Sequence, residues 1–194
     1  GQVREVGQFG EPQAVALMSE EESRVPAAIL LERKTIVRVL QQLIRTFEGF
    51  DYLVAPSGSC SGMIRHHYPR LFADDPPWRE RAQALGAKTF ELTAFLADVM
   101  HFSPAPGRGT SGRTITYHDS CAGLRELGIR AQPRQLLAAA GVTLTEMQGT
   151  EVCCGFGGTF CAKLPEISVA MADEKLGNAR AAGADMLVGG DLGC

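Results

Sequence analysis

The placement of cysteines behind predicted strands constrains this chain more than any other feature. Four of the six cysteines follow one plan: Cys121, the adjacent pair Cys153 and Cys154 after 31 intervening residues, and Cys194 after 39 more. Each comes in a loop after a predicted strand, and the carboxyl ends of parallel strands meet at one edge of a sheet. We therefore expect the four thiols to converge at such an edge.

Strands and helices alternate through the second half of the chain. Hydrophobic periodicity predicts strands at 113–118, 142–147 and 185–189, and helices near 122–140 and 164–182. This alternation is typical of an α/β protein with a parallel sheet and helical crossovers.

The first half is predicted to hold fewer strands. A capping box, Ser19 with Glu22, precedes an amphipathic helix that ends near Phe47. A buried strand at 51–55 and a helix around 62–72 follow. A stretch broken by prolines then leads into a second amphipathic helix at 89–100.

A short internal sequence repeat suggests two pseudo-repeated halves. Asp51-Tyr-Leu-Val stands nine residues before Cys60, and Asp185-Met-Leu-Val stands nine residues before Cys194. We expect a complete second repeat and a partial first one. The predicted organisation is an N-terminal segment at 1–24, the partial repeat at 25–102, a linker at 103–112 and the complete repeat at 113–194.

Composition and net charge argue against several classes of function. With 45% hydrophobic and 21% charged residues, the chain carries enough apolar material for a core. The net charge of −3 argues against nucleic-acid binding, and no apolar run is long enough to span a bilayer. The first residues lack the pattern of a signal peptide, so we expect a cytoplasmic protein. In a reducing compartment, six cysteines indicate a metal-binding or catalytic site rather than disulfides.

The adjacent pair Cys153 and Cys154 indicates which metal centre to expect. Adjacent side chains in an extended loop point apart, which suits a cluster of several irons better than one tetrahedral Zn²⁺. The chain contains no Cys-x-x-Cys pair, which argues against zinc ribbons and thioredoxin-type sites. Two alternatives stay open: a structural or assembly subunit that holds Zn²⁺, and a thiol-based redox enzyme with one low-pKa cysteine. A catalytic Cys–His nucleophile would pair Cys121 or Cys154 with His118.

Three further residues lie in or near these loops. Gly155 directly follows the cysteine pair, where a backbone N–H can hydrogen-bond to thiolate or sulfide sulfur. Two roles fit His118: a hydrogen-bond donor to the metal centre, or a histidine held by its own turn. Cys161 matches no motif, and we expect it to be structural.

Seven stretches of the sequence resemble a known family. They are FEGFDY at 47–52, APSGSC at 55–60, TFELT at 89–93, HDSC at 118–121, CCGFGGTF at 153–160, EIS at 166–168 and GDLGC at 190–194. Together they resemble the cysteine-rich CCG-domain family of the heterodisulfide reductases and related electron-transfer proteins, and in particular its lactate-utilisation branch. The resemblance covers about residues 35–194.

The resemblance implies a two-repeat α/β protein that binds a [4Fe–4S]-type cluster. Cys121, Cys153, Cys154 and Cys194 are then the cluster ligands, and Cys60 is the counterpart of Cys194 in the first repeat. The implied role is electron transfer during oxidation of L-lactate, as a redox subunit working with other iron–sulfur subunits rather than as a complete enzyme. Residues 18–23, where the family places a first Cys-Cys-Gly, contain no cysteine, so the chain has lost that half-repeat or is a fragment.

Overall fold

A computed structural model describes residues 15–17, 33–105 and 113–194 of the chain. Contacts divide the chain into a first unit that ends at Leu92 and a second that begins at Thr93. Each unit contains a three-stranded parallel sheet with helical connections, which confirms the predicted α/β class. The predicted capping box and most of the predicted linker lie outside the described residues.

The first unit is built around strand β2, which lies in the middle of the order β1-β2-β3. Its elements are β1 (Val15–Leu17), α1 (Arg33–Phe47), β2 (Tyr52–Ala55), α2 (Gly58–Gly62), a π-helical turn (Met63–His67), α3 (Tyr68–Leu71), α4 (Pro76–Ala87) and β3 (Thr89–Glu91). Helix α1 buries Leu40, Ile44 and Phe47, whose spacing of three to four residues places them on one face. That face packs into a core completed by Leu53, Ile64, Tyr68, Phe72 and Leu85.

The first unit departs from the sequence prediction in two places. The stretch broken by prolines is helix α4, because prolines fit the first turn of a helix and the Asp75 carboxylate accepts a hydrogen bond from the Trp78 N–H (3.5 Å). The predicted helix at 89–100 is also wrong at its start. Thr89 pairs with Leu53 as part of strand β3, and both residues are fully buried.

The second unit places strand β4 in the middle of the order β5-β4-β6. Following the short helix α5 (Leu92–Ala94), which crosses the boundary, it contains a π-helical turn (Phe95–Val99), β4 (Thr114–His118), α6 (Cys121–Leu127), α7 (Ala131–Ala139), β5 (Thr143–Leu144), α8 (Thr159–Lys163), α9 (Pro165–Ala181) and β6 (Met186–Gly189). The single helix predicted near 122–140 is two helices, because Gly128 ends α6 in a left-handed conformation with φ of 69°. The strand predicted at 142–147 is limited to two residues.

Strand β4 sets the position of the functional residues. Four of its five residues are buried, and its carboxyl end leads through Asp119 and Ser120 into Cys121. The short internal sequence repeat includes strands β2 and β6. Strand β2 pairs with β1 in the first unit, and β6 pairs with β4 in the second. The pseudo-repeat itself stays a prediction. Over the described residues, no helix has both the length and the apolar character needed to cross a bilayer.

Candidate metal centre

Cys121 is held by the turn that follows β4. The Ser120 hydroxyl accepts a hydrogen bond from the Gly123 N–H (3.3 Å) and so caps helix α6, of which Cys121 is the first residue. The Asp119 N–H donates to the Thr150 carbonyl (3.1 Å), which joins this turn to the loop that carries the cysteine pair. The thiol of Cys121 is half-buried as a result.

The loop with Cys153 and Cys154 is anchored to helix α9 by a buried lysine. Lys175 is only 4% exposed. Its ammonium donates to the Gly149 carbonyl (2.5 Å) and to the Thr150 carbonyl (3.4 Å). A charge-assisted hydrogen bond of this kind is stronger than a neutral one, so the loop keeps its place against the helix.

Gly155 allows the loop to pass close to helix α9. Its φ is 90°, and a Cβ at this position would lie 2.4 Å from the Ser168 carbonyl oxygen. The Gly155 carbonyl accepts a hydrogen bond from the Ser168 hydroxyl (2.9 Å), while its N–H donates to the Cys153 Sγ (3.4 Å). Only glycine fits this combination of positive φ and close approach.

Cys194 is held in a turn that follows β6. The Gly193 N–H donates to the Asp191 carboxylate (3.1 Å), and the Cys194 N–H donates to the Asp191 carbonyl (3.2 Å). A Cβ on Gly193 would meet the Phe156 ring at 2.6 Å. Gly193 therefore lets the ring of Phe156 lie directly against the turn that carries Cys194.

The four cysteines come together as two thiol pairs. The thiol of Cys121 lies close enough to that of Cys153 to raise its pKa, the thiol of Cys194 stands in the same relation to Cys154, and Cys121 and Cys194 also interact electrostatically. The two adjacent cysteines thus face different partners. A ring nitrogen of His118 and the Sγ atoms of Cys154 and Cys194 lie within 4.8 Å of one another.

The remaining two cysteines lie elsewhere. Cys60 is in helix α2 of the first unit and packs partly buried against its core. Cys161 lies in helix α8, where its thiol donates to the Gly158 carbonyl (3.1 Å).

Comparison with known proteins finds similarity over the region that contains these four cysteines. The cysteine-rich domain called CCG matches residues 115–194. The chain is also 46% identical over 160 residues to lactate utilization protein A of Exiguobacterium sp., which covers 81% of this chain and 64% of that protein. Residues 115–194 therefore carry a CCG cysteine-rich domain, and we call its four cysteines and their neighbours the CCG site.

Two further relatives carry the same name. Lactate utilization protein A of Geobacillus kaustophilus is 44% identical over 162 residues, covering 83% of this chain and 66% of that protein. The Bacillus subtilis protein is 42% identical over 158 residues, covering 81% and 65%. The chain therefore spans just under two thirds of the length of these relatives.

The surroundings of Cys121 and Cys194 disfavour the ionised form of these two thiols. Burial raises the pKa of Cys121, and the neighbouring Cys153 raises it further. Burial and then the hydrogen bond with Cys154 raise the pKa of Cys194 well above its ordinary range. Four thiols at this distance repel one another when ionised, and a bound cation removes that repulsion. A nucleophilic thiol needs a lowered pKa instead.

The two basic side chains beside the thiols, Lys175 and His118, also have lowered pKa values. Burial lowers the pKa of Lys175, against the opposing effect of the nearby Cys154. Burial, and then the charge of Lys175, lower the pKa of His118. The imidazole is therefore kept neutral, the form in which a ring nitrogen can bind a metal.

An ion-pair cluster supports the turn before Cys121. The guanidinium of Arg134 makes two hydrogen bonds to the fully buried Asp119 carboxylate (2.7 and 2.9 Å) and two to Glu146 (2.6 and 3.1 Å). It also lies over the Tyr117 ring, 5.3 Å from the ring centre, where the face of the ring attracts a cation. The charged cluster fixes the end of β4 and the beginning of α6.

Sequence reasoning named the four cysteines as candidate ligands, which stays a prediction, and it gave no role in the site to Lys175, Arg134 or the buried carboxylate of Asp119. Asp119 carried one usable signal, since it lies between a buried strand and a candidate ligand. Lys175 and Arg134 lie in helices, and no local sequence pattern indicates that they belong to the site.

The residues of the site fit a thiolate-bound metal centre. Four sulfur atoms and one ring nitrogen come from three segments of the chain: the end of β4 with the start of α6, the loop after β5, and the turn after β6. The Gly155 N–H already donates to one of the sulfurs. Soft thiolate donors of this kind select iron–sulfur clusters or zinc.

Proposed function

We propose that this chain is an iron–sulfur electron-transfer subunit that takes part in L-lactate oxidation. One observation carries the proposal: Cys121 and Cys194 reach the adjacent Cys153 and Cys154 from separate loops, so the four thiols form two pairs. An adjacent pair that faces in two directions suits several irons better than a single tetrahedral ion.

A [4Fe–4S]-type cluster bound by Cys121, Cys153, Cys154 and Cys194 would supply one-electron chemistry. The chain's own groups would set its environment. The Gly155 N–H donates to Cys153, and the ammonium of Lys175 lies near Cys153 and Cys154, where it partly offsets the thiolate charge.

The lactate assignment comes from the relatives named lactate utilization protein A. By this proposal the partners are other iron–sulfur subunits of a lactate-oxidising complex. Cys60 is proposed as the counterpart of Cys194 in the first repeat. Free thiols persist in a reducing compartment, so we place the protein in the cytoplasm.

The proposal is tested by potentiometric titration of protein purified without oxygen. We expect broad visible absorption that bleaches reversibly on reduction by one electron per cluster. A matched titration of Cys121→Ser should lose this reversible change. Absorption that does not respond to reductant would refute the electron-transfer role.

One observation favours zinc as a second candidate. A ring nitrogen of His118 lies close to the Sγ atoms of Cys154 and Cys194, and mixed cysteine and histidine sets are common in structural zinc sites. A colourless protein with one zinc per chain after growth in iron-rich medium would favour a structural or assembly role.

A further inference from the structure

His118 carries a buried nitrogen that has no hydrogen-bond partner. The residue is 4% exposed, and among the described residues its Nε2 is the one buried side-chain nitrogen or oxygen left unsatisfied. Buried polar atoms are nearly always paired because an unpaired one loses its interactions with water. The Nε2 therefore requires an explanation.

The contact made by the other ring nitrogen, Nδ1, determines the tautomer of His118. The His118 Nδ1 lies 3.2 Å from the Thr150 carbonyl oxygen. A carbonyl oxygen can only accept, so Nδ1 carries the hydrogen. In the neutral imidazole, Nε2 then has a free lone pair and cannot donate to sulfur.

The ring of His118 lies among metal-binding atoms. One of its ring nitrogens and the Sγ atoms of Cys154 and Cys194 lie within 4.8 Å of one another. A tetrahedral metal with ordinary bonds to sulfur and nitrogen holds such atoms about 3.6 Å apart. Because Nδ1 faces the Thr150 carbonyl, Nε2 is the nitrogen left to bind a metal.

We propose that His118 binds the metal of this centre through Nε2 and so adds a nitrogen ligand to the cysteines. The contact of Nδ1 with a backbone carbonyl is the arrangement found for most metal-binding histidines. This inference rests on the proposed metal centre. A ring nitrogen is neutral where a thiolate is charged, so the ligand would raise the reduction potential of an iron centre, as histidine does in Rieske clusters.

The first test uses Co²⁺ alone, added to the reduced, metal-free protein. His118→Asn removes Nε2 but keeps an amide that can donate to the Thr150 carbonyl. The control is His66→Asn, because His66 is exposed and lies in the first unit. We expect His118→Asn to raise the Co²⁺ dissociation constant at least tenfold and to alter the ligand-field absorption. The same affinity and spectrum in both variants, or no Co²⁺ binding by the unaltered protein, would overturn the inference.

A second measurement avoids substitution. In reduced, iron-loaded protein, pulsed electron paramagnetic resonance should detect an imidazole nitrogen bound directly to iron. A cluster without such a nitrogen would overturn the role of His118 and leave the proposed function in place. Protein that takes up neither iron nor sulfide would instead refute the proposed function, and the Co²⁺ comparison would still decide the role of His118.

Discussion

Gly155→Ala tests how the loop of the CCG domain is positioned against helix α9. The new Cβ would lie 2.4 Å from the Ser168 carbonyl oxygen, whereas ordinary contact begins at 3.4 Å. The loop must therefore move away from the helix. A side chain at positive φ costs about 1–2 kcal/mol, and overpacking costs about 1–3 kcal/mol more.

The matched control is Gly128→Ala. Gly128 also has a positive φ, 69°, but a Cβ there meets nothing within 4 Å. The control therefore carries the backbone cost without the steric one. We expect Gly155→Ala to lower the unfolding temperature by about 10 °C, since 1 kcal/mol corresponds to roughly 2–4 °C in a chain of this size.

Thermal unfolding by circular dichroism, with metal content measured on the same samples, gives both results. Gly155→Ala should also lose bound metal, because Cys153 and Cys154 move with the loop, whereas Gly128→Ala should retain it. Equal unfolding temperatures and equal metal content in the two variants would refute the argument that close packing on α9 positions the cysteines.

Three further substitutions test other groups. Arg134→Met leaves the buried Asp119 carboxylate without its partner and should cost about 3 kcal/mol in urea unfolding; a loss below about 1 kcal/mol, the range of a surface pair, would show that the pair is not structural. Lys175→Met removes the ammonium from two backbone carbonyls and should cost about 1.5–3 kcal/mol, with weaker metal binding in the same titration; unchanged binding would contradict its role beside the thiols. Burial, and to a lesser extent the nearby Cys60, raise the pKa of Tyr68 to about 12. Because the unfolded chain ionises near pH 10, the stabilisation is complete below about pH 10 and is lost between about pH 10 and 12, by about 2–3 kcal/mol. Tyr68→Phe should remove this alkaline loss of stability, and identical profiles of stability against pH in the variant and the unaltered chain would contradict the role of Tyr68.

Local patterns predicted the parts of the fold that depend on neighbouring residues. Strand β4 and helix α9 were predictable from apolar spacing and from their turn residues. Strand β3 was not, because Thr89 becomes a strand by pairing with Leu53, far away in the sequence. The split between α6 and α7 depended on one glycine with a positive φ.

The same distinction applies to the site. The cysteines could be recognised because each follows a predicted strand and because their spacing resembles a family pattern. Lys175 and Arg134 act through contacts with residues in other elements, so helical periodicity gave no indication of them. The role of His118 depends on which of its nitrogens faces the Thr150 carbonyl, and only the folded chain determines that.

The most direct test of the metal centre is iron, sulfide and zinc analysis of three proteins prepared without oxygen. They are the unaltered chain, Cys154→Ser and Cys161→Ser. Cys161→Ser is the control, because Cys161 lies in helix α8 and its thiol donates a hydrogen bond to the Gly158 carbonyl. We expect iron and sulfide in equal amounts in the unaltered chain and in Cys161→Ser, and their loss in Cys154→Ser. Equal iron and sulfide in all three proteins, or no metal in any of them, would contradict the proposed centre.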